Sequence, residues 1–209
     1  MSSNNVLKIY NSRNVLIDQL KVQGFEVDDY GNFSINEIDA MMEKNQLDMI
    51  ASRNTDGALV YVKYFLVGKQ LRPQVLDDLV EDLFEVESIL KDKKKDMIVL
   101  VTQEEPNASL LARMEYLFDK EGYYIVIRTI TRLQFNVLEH FLVPSGKILS
   151  PEEVEELRIK LNLKELHRLP EISRFDQQAL SLGLRPGQVV KFNRKSPTAL
   201  VASYWRICV

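Results

Sequence analysis

Residues 183–191 read Gly183-Leu184-Arg185-Pro186-Gly187-Gln188-Val189-Val190-Lys191, and a second alternating stretch runs from Ala202 to Val209. Gly183 closes a short helical pattern that begins at Asp176, with Asp176 or Ser173 available to cap it. Pro186-Gly187 is a turn signal, because proline presets φ and glycine tolerates the left-handed region. Gln188 to Asn193 and Ala202 to Val209 alternate apolar and polar residues, and Ser196-Pro197-Thr198 joins them. That period belongs to paired, half-buried strands.

Upstream, Ser150-Pro151-Glu152-Glu153 is a dense helix start. Ser150 can cap, Pro151 suits the first helical position, Glu153 completes a capping box, and the helix runs to about Leu161. Pro170 holds Leu169 extended. Ser145-Gly146 reads as a turn. The register changes near Pro144, which predicts one domain over residues 1–139 and a compact α+β domain over residues 140–209.

The first domain opens with a helix from about Asn5 to Gln23. Val6, Ile9, Leu16, Ile17 and Leu20 form its stripe, Arg13 is the one polar breach, and Gly24 stops it. Ser34 and Glu37 make a capping box for a helix to about Lys44. Leu47–Ser52 and Ala58–Val67 flank the turn Asn54-Thr55-Asp56-Gly57 as a hairpin. After Pro73 comes the helical stripe Val75, Leu76, Leu79, Leu83, Val86 and Leu90, with an acidic opposite face that reads as solvated. Lys93-Lys94-Lys95 suits a helix end. Met97–Thr102 is a buried strand, Ala108–Lys120 a helix stopped by Gly122, and Tyr123–Ile127 a further strand. Strands alternating with helices predict an α/β fold with a mixed sheet.

The chain has 209 residues, 45% hydrophobic and 27% charged, an ordinary globular balance. Its single cysteine, Cys208, lies in an apolar strand and reads as a packed core thiol. We read no signal peptide, and the apolar runs are too short to span a bilayer, so the chain is expected inside a cell or a virus particle. Lys164 to Val209 carries eight basic against three acidic residues, a net +5; the whole chain is -3, so the rest carries -8. Such asymmetry fits two parts with different partners, and equally a solvated basic surface.

No catalytic motif emerges. H-E-x-x-H, C-x-x-C, EF-hand, P-loop and G-x-G-x-x-G patterns are all missing, so neither metal nor cofactor is expected. Glu104-Glu105 and Glu152-Glu153 sit at helix starts, where the macrodipole accounts for them. Asp48, Asp56 and Lys63 are loose candidates for a nuclease-like site. Of Tyr204 and Trp205, at least one must face inward; the other could stack on a base.

The series His140-Phe141-Leu142-Val143-Pro144, Leu149-Ser150-Pro151-Glu152-Glu153, Leu169-Pro170-Glu171-Ile172, Asp176, Gly183 to Lys191, Arg194, Ser196, Thr198-Ala199 and Tyr204-Trp205-Arg206 resembles the fifth subunit of eukaryotic RNA polymerases I, II and III and its shorter archaeal counterpart. Residues 1–139 resemble the eukaryotic form's jaw domain more loosely. The chain departs from the family's usual residues at Glu171, Gln177, Ser145-Gly146 and Leu200, the last in place of a glycine.

The resemblance implies a non-catalytic structural subunit of a multisubunit DNA-dependent RNA polymerase. The small α+β assembly domain would dock on the largest subunit through His140, Pro144, Asp176, Arg185, Gly187, Gln188, Lys191, Arg194, Thr198, Tyr204 and Arg206. The α/β jaw-type domain would lie near downstream duplex DNA, with Lys63, Lys69, Arg72, Arg128 and Arg132 grazing the backbone. Contact there would be weak and sequence-independent, because that part is acidic. Other polymerase subunits, and transcription factors at the jaw, are further expected partners; a membrane is not. The location would be the nucleus in a cell, or a virion or cytoplasmic viral factory. A stand-alone nucleic-acid-binding transcription regulator is the alternative.

Overall fold

The structure, a computed structural model, describes residues 3–66 and 71–209. It divides into two units, Met1–Phe135 and Asn136–Val209, a few residues ahead of the expected break at 139/140. The cause is local: Asn136 caps a 3-10 turn, Val137–Glu139, which packs on the helix Gln177–Leu182 of the second unit.

In the first unit, α1 (Ser3–Val22) ends at Gly24, where φ is +88°. Its inward stripe is the expected one, but Arg13 is no breach to solvent. The residue is 1% exposed, and its Nη1 donates to the Leu47 carbonyl at 2.7 Å. Helix α2 (Ile35–Glu43) carries the full Ser34/Glu37 capping box. Strands β1 (Met49–Ser52) and β2 (Leu59–Phe65) pair antiparallel across the turn, and the expected strand end at Val67 lies outside the described residues. Helix α3 (Pro73–Glu81) leads to β3 (Met97–Thr102), and α4 (Ala108–Tyr116) leads to β4 (Tyr124–Thr129). Both helices finish in a widened turn, Asp82–Val86 and Leu117–Glu121. The sheet order is β1-β2-β3-β4, with β2, β3 and β4 mutually parallel. Every residue of β3 and of the edge strand β4 is buried, as parallel strands covered on both faces demand. The mixed α/β sheet expected for this part is what forms.

The second unit is a sheet of order β5-β7-β8-β6, from β5 (Ser145–Ile148), β6 (Glu171–Ile172), β7 (Val189–Ser196) and β8 (Leu200–Cys208). Residues 145–146 start a strand rather than a turn. Gly146 stands opposite Phe192, and a Cβ there would lie 2.8 Å from the Phe192 ring and from Leu182. The glycine is needed for close packing, not for bending. Helix α5 (Pro151–Lys160) has the Ser150/Glu153 capping box. Helix α6 (Gln177–Leu182) is capped by Asp176 and closed by Gly183 at φ +70°.

Two clusters cover the two faces of this sheet. Ile172, Ala179, Leu184, Val190, Phe192 and Cys208 form one, with Tyr204 against it. Leu157, Leu169, Val189 and Ile207 form the other, with Trp205 against it. Strand alternation thus sends Tyr204 and Trp205 to opposite faces, and each finds a cover. Among the described residues no helix is long and apolar enough to cross a membrane.

Candidate functional site

Strands β7 and β8 carry Lys191, Arg194, Lys195 and Arg206 and no carboxylate. The register sets Val190 opposite Arg206, Phe192 opposite Tyr204 and Arg194 opposite Ala202, all on one face. The Tyr204 ring lies 5.3 Å from that of Phe192, which anchors it to the core. The guanidinium of Arg194 sits 5.5 Å from the Tyr204 centroid and that of Arg206 sits 5.9 Å from it. Arg206 also donates to the Glu171 carbonyl at 2.8 Å. Arg194, Tyr204 and Arg206 therefore form a row, two cations flanking an aromatic ring.

The other expected interface residues are not gathered there. Lys191 is on the opposite face, across from Trp205. Gly187 takes φ +84° and donates its N–H to the Cys208 carbonyl at 2.9 Å. The Gln188 side chain accepts the Arg185 N–H at 2.8 Å, so both glutamine and glycine build the turn. The Asp176 carboxylate accepts the N–H groups of Gln178 and Ala179 as a helix cap. The Pro144 carbonyl accepts from the Gln178 side chain at 2.6 Å. His140 is exposed, and its Nδ1 accepts the Leu142 N–H. Thr198 is at the hairpin tip, its hydroxyl 3.4 Å from that of Ser196.

Exposed apolar side chains are what sequence reasoning missed. Phe141 and Leu142 stand 81% and 71% exposed ahead of β5, and Leu200 and Val201 stand 84% and 59% exposed at the tip of the hairpin. The available signal was large apolar residues in connecting segments that no period explains.

In the first unit, Arg72 is exposed and Lys63 is half-buried on β2. Arg132 is exposed but ion-paired with Glu105 at 2.6 Å. Lys69 lies outside the described residues. Arg128 corrects an expectation: it is 3% exposed and donates to the Gln19 side chain at 2.9 Å. Desolvation pulls its pKa down to about 10. A guanidinium inside a strand buried on both faces has no route to a DNA backbone.

The loose acidic candidates are dispersed. Asp48 accepts from the Tyr61 hydroxyl at 2.8 Å, beside the open end of the β1–β2 hairpin. Asp56 is at its turn, gripped by Arg53 at 2.8 Å and 2.7 Å, and this bond holds its pKa at about 2. Among the described residues no group of three or more His, Cys, Asp or Glu could hold a metal ion. Cys208 is buried, and desolvation pushes its thiol up to about 11.

The family described as RNA polymerase Rpb5, C-terminal domain, matches residues 135–208. DNA-directed RNA polymerase subunit Rpo5 of Thermococcus kodakarensis is 43% identical over 76 residues, which is 36% of this chain and 92% of the archaeal one. The chain belongs to the fifth-subunit family of DNA-directed RNA polymerases. The Rpo5 subunit of Archaeoglobus fulgidus is 39% identical over 77 residues, 37% of this chain and 100% of its own. That of Methanocaldococcus jannaschii is 40% identical over 73 residues, 35% of this chain and 92% of its own. The family match in this fifth-subunit chain coincides with the second unit and contains the Arg194–Tyr204–Arg206 row.

Proposed function

We propose that this chain is a structural, non-catalytic subunit of a multisubunit DNA-dependent RNA polymerase, and that its second unit docks on the largest subunit. The observation that carries the reading is the Arg194–Tyr204–Arg206 row, on a carboxylate-free hairpin inside the family-matched unit. Arginine pairs bidentately with carboxylates across interfaces, and a ring-stacked guanidinium is already ordered for it. The first unit serves as a jaw near downstream DNA. Its net acidity limits it to weak, sequence-independent contact through Arg72 and Lys63, with Arg132 held in an ion pair. The acidic face of α3 is the surface that suits basic transcription factors.

A tagged full-length chain, expressed in its host, should recover the large polymerase subunits. Arg194→Glu with Arg206→Glu should lower that recovery strongly while the chain still folds. A wild-type chain that stays monomeric and unincorporated would instead favour a stand-alone regulator.

A further inference from the structure

Strand β8 pairs with β7 from Leu200 to Ile207, yet β6 covers it only at Ile207 and Cys208. From Val201 to Trp205 no strand lies on its outer side among the described residues. The hydrogen bonds give the direction of each amide. Ile207 and Val209 donate outward to the carbonyls of Pro170 and Ile172, while Cys208 donates inward to Gln188. Alternation along the strand then points the N–H groups of Ser203 and Trp205 away from β7, and their carbonyls with them.

Natural proteins guard such an edge with a charge, a proline, a bulge or a covering loop. The run Val201-Ala202-Ser203-Tyr204-Trp205 has no charged residue, no proline and no glycine. It also ends at an exposed apolar tip, Leu200 and Val201. The β5 edge at the other side of the sheet is short and carries Gly146 and Lys147, whereas this stretch of β8 is long and uncharged, and it is open to a further strand.

We infer that the outer edge of β8 accepts an added strand, an extended acidic segment of another polymerase subunit. This deepens the docking reading above and rests on it. The backbone of Ser203 and Trp205 would supply the ladder bonds, and the cations would select the occupant. Arg194 stands opposite Ala202, whose small side chain lets the guanidinium lean across β8 toward the Tyr204 ring. An added strand lies roughly 4.8 Å beyond β8. A carboxylate on it, level with Tyr204, would meet Arg194 and Arg206 together. With no carboxylate on β7 or β8, a basic segment would be repelled.

The test is amide hydrogen exchange on the full chain, free and within purified polymerase, resolved to Ser203 and Trp205. Both amides should exchange at least tenfold more slowly in the assembly. Ser203→Pro removes an outward amide without touching the β7 ladder, and should lower recovery of the large subunits by about tenfold. Ser203→Ala keeps the amide and should assemble normally, while Arg194→Glu should weaken assembly. An incorporated chain whose two amides exchange as fast as in the free form overturns strand addition and leaves docking intact. A wild-type chain that never assembles overturns docking itself. Protection that comes only after duplex DNA is added assigns the edge to nucleic acid and overturns the protein occupant. The wild-type exchange comparison stands even where Ser203→Pro does not fold.

Discussion

Gly146 faces Phe192 across the β5–β7 pairing so closely that a Cβ on it would lie 2.8 Å from the Phe192 ring. Phe192 is 1% exposed and has no room to retreat, while Leu182, the other neighbour, is more yielding. Gly146→Ala should therefore destabilise the second unit by about 1–3 kcal/mol, the range for overpacking a filled core. The only tryptophan, Trp205, sits in that unit, so its fluorescence during urea unfolding reads the effect directly. An unchanged midpoint would show that β5 is not pressed on Phe192.

Leu200 takes φ +58° at the tip of the hairpin, a region that costs a branched side chain about 1–2 kcal/mol. The neighbouring Val201 N–H reaches back to the Ala199 carbonyl at 2.5 Å, so the tip is tightly wound. Leu200→Gly relieves the strain but adds freedom to the unfolded chain. The two should leave a net gain of about 0.5–1 kcal/mol, seen as a higher thermal midpoint. A lower midpoint would mean that Leu200 contributes packing the tip does not show.

Much of this was legible in the sequence because local rules and tertiary structure agree. The Ser34/Glu37 and Ser150/Glu153 boxes, the stops at Gly24, Gly122 and Gly183, and the apolar run of β3 all act within a few residues. What escaped depends on distant partners. Gly146 resembles a turn residue until Phe192 is brought opposite it. Arg128 resembles a surface cation until α1 delivers Gln19 to it. The Arg194–Tyr204–Arg206 row was legible residue by residue, but not the split that places Lys191 on the other face.

Arg128 should behave as a structural residue. Its guanidinium is buried and donates to Gln19, so Arg128→Ala removes that bond and leaves a void. The first unit should lose about 1–3 kcal/mol in chemical unfolding, from the lost hydrogen bond and the void. Arg72 is exposed, and Arg72→Ala should shift stability by less than about 0.5 kcal/mol. Equal, small effects for both would return Arg128 to the surface.

Asp56 should titrate abnormally low. Its hydrogen bonds to Arg53 hold the carboxyl at about 2, below the ordinary 3.8. The folded-state pKa is depressed, so the pair's contribution is complete above the unfolded value and fades as pH falls toward 2. The side chains are 26% and 37% exposed, and screening keeps that contribution below about 1 kcal/mol. In Arg53→Gln the Asp56 carboxyl should move back toward 3.8, followed by carboxyl-carbon NMR. An unmoved titration would assign the depression to the turn backbone instead.

Cys208 should be inert while the chain is folded. The thiol is 1% exposed in the α6-side cluster, and desolvation raises its pKa from 9.0 to about 11. Only the thiolate attacks an alkylating reagent, and two decades of pKa lower its population about a hundredfold at pH 8. Burial adds an access barrier on top, so iodoacetamide labelling should be slower than in urea by more than that factor. The same shift sets a sign for stability. A thiol that ionises less readily when folded favours the folded state below the unfolded pKa, and that preference is lost as pH rises from about 9 through 11. Alkaline unfolding should therefore be milder in Cys208→Ala, once its cavity cost is subtracted at neutral pH. Rapid labelling of the native chain at pH 8 would show that the α6 face of the sheet opens to solvent, and with it the cluster under Tyr204.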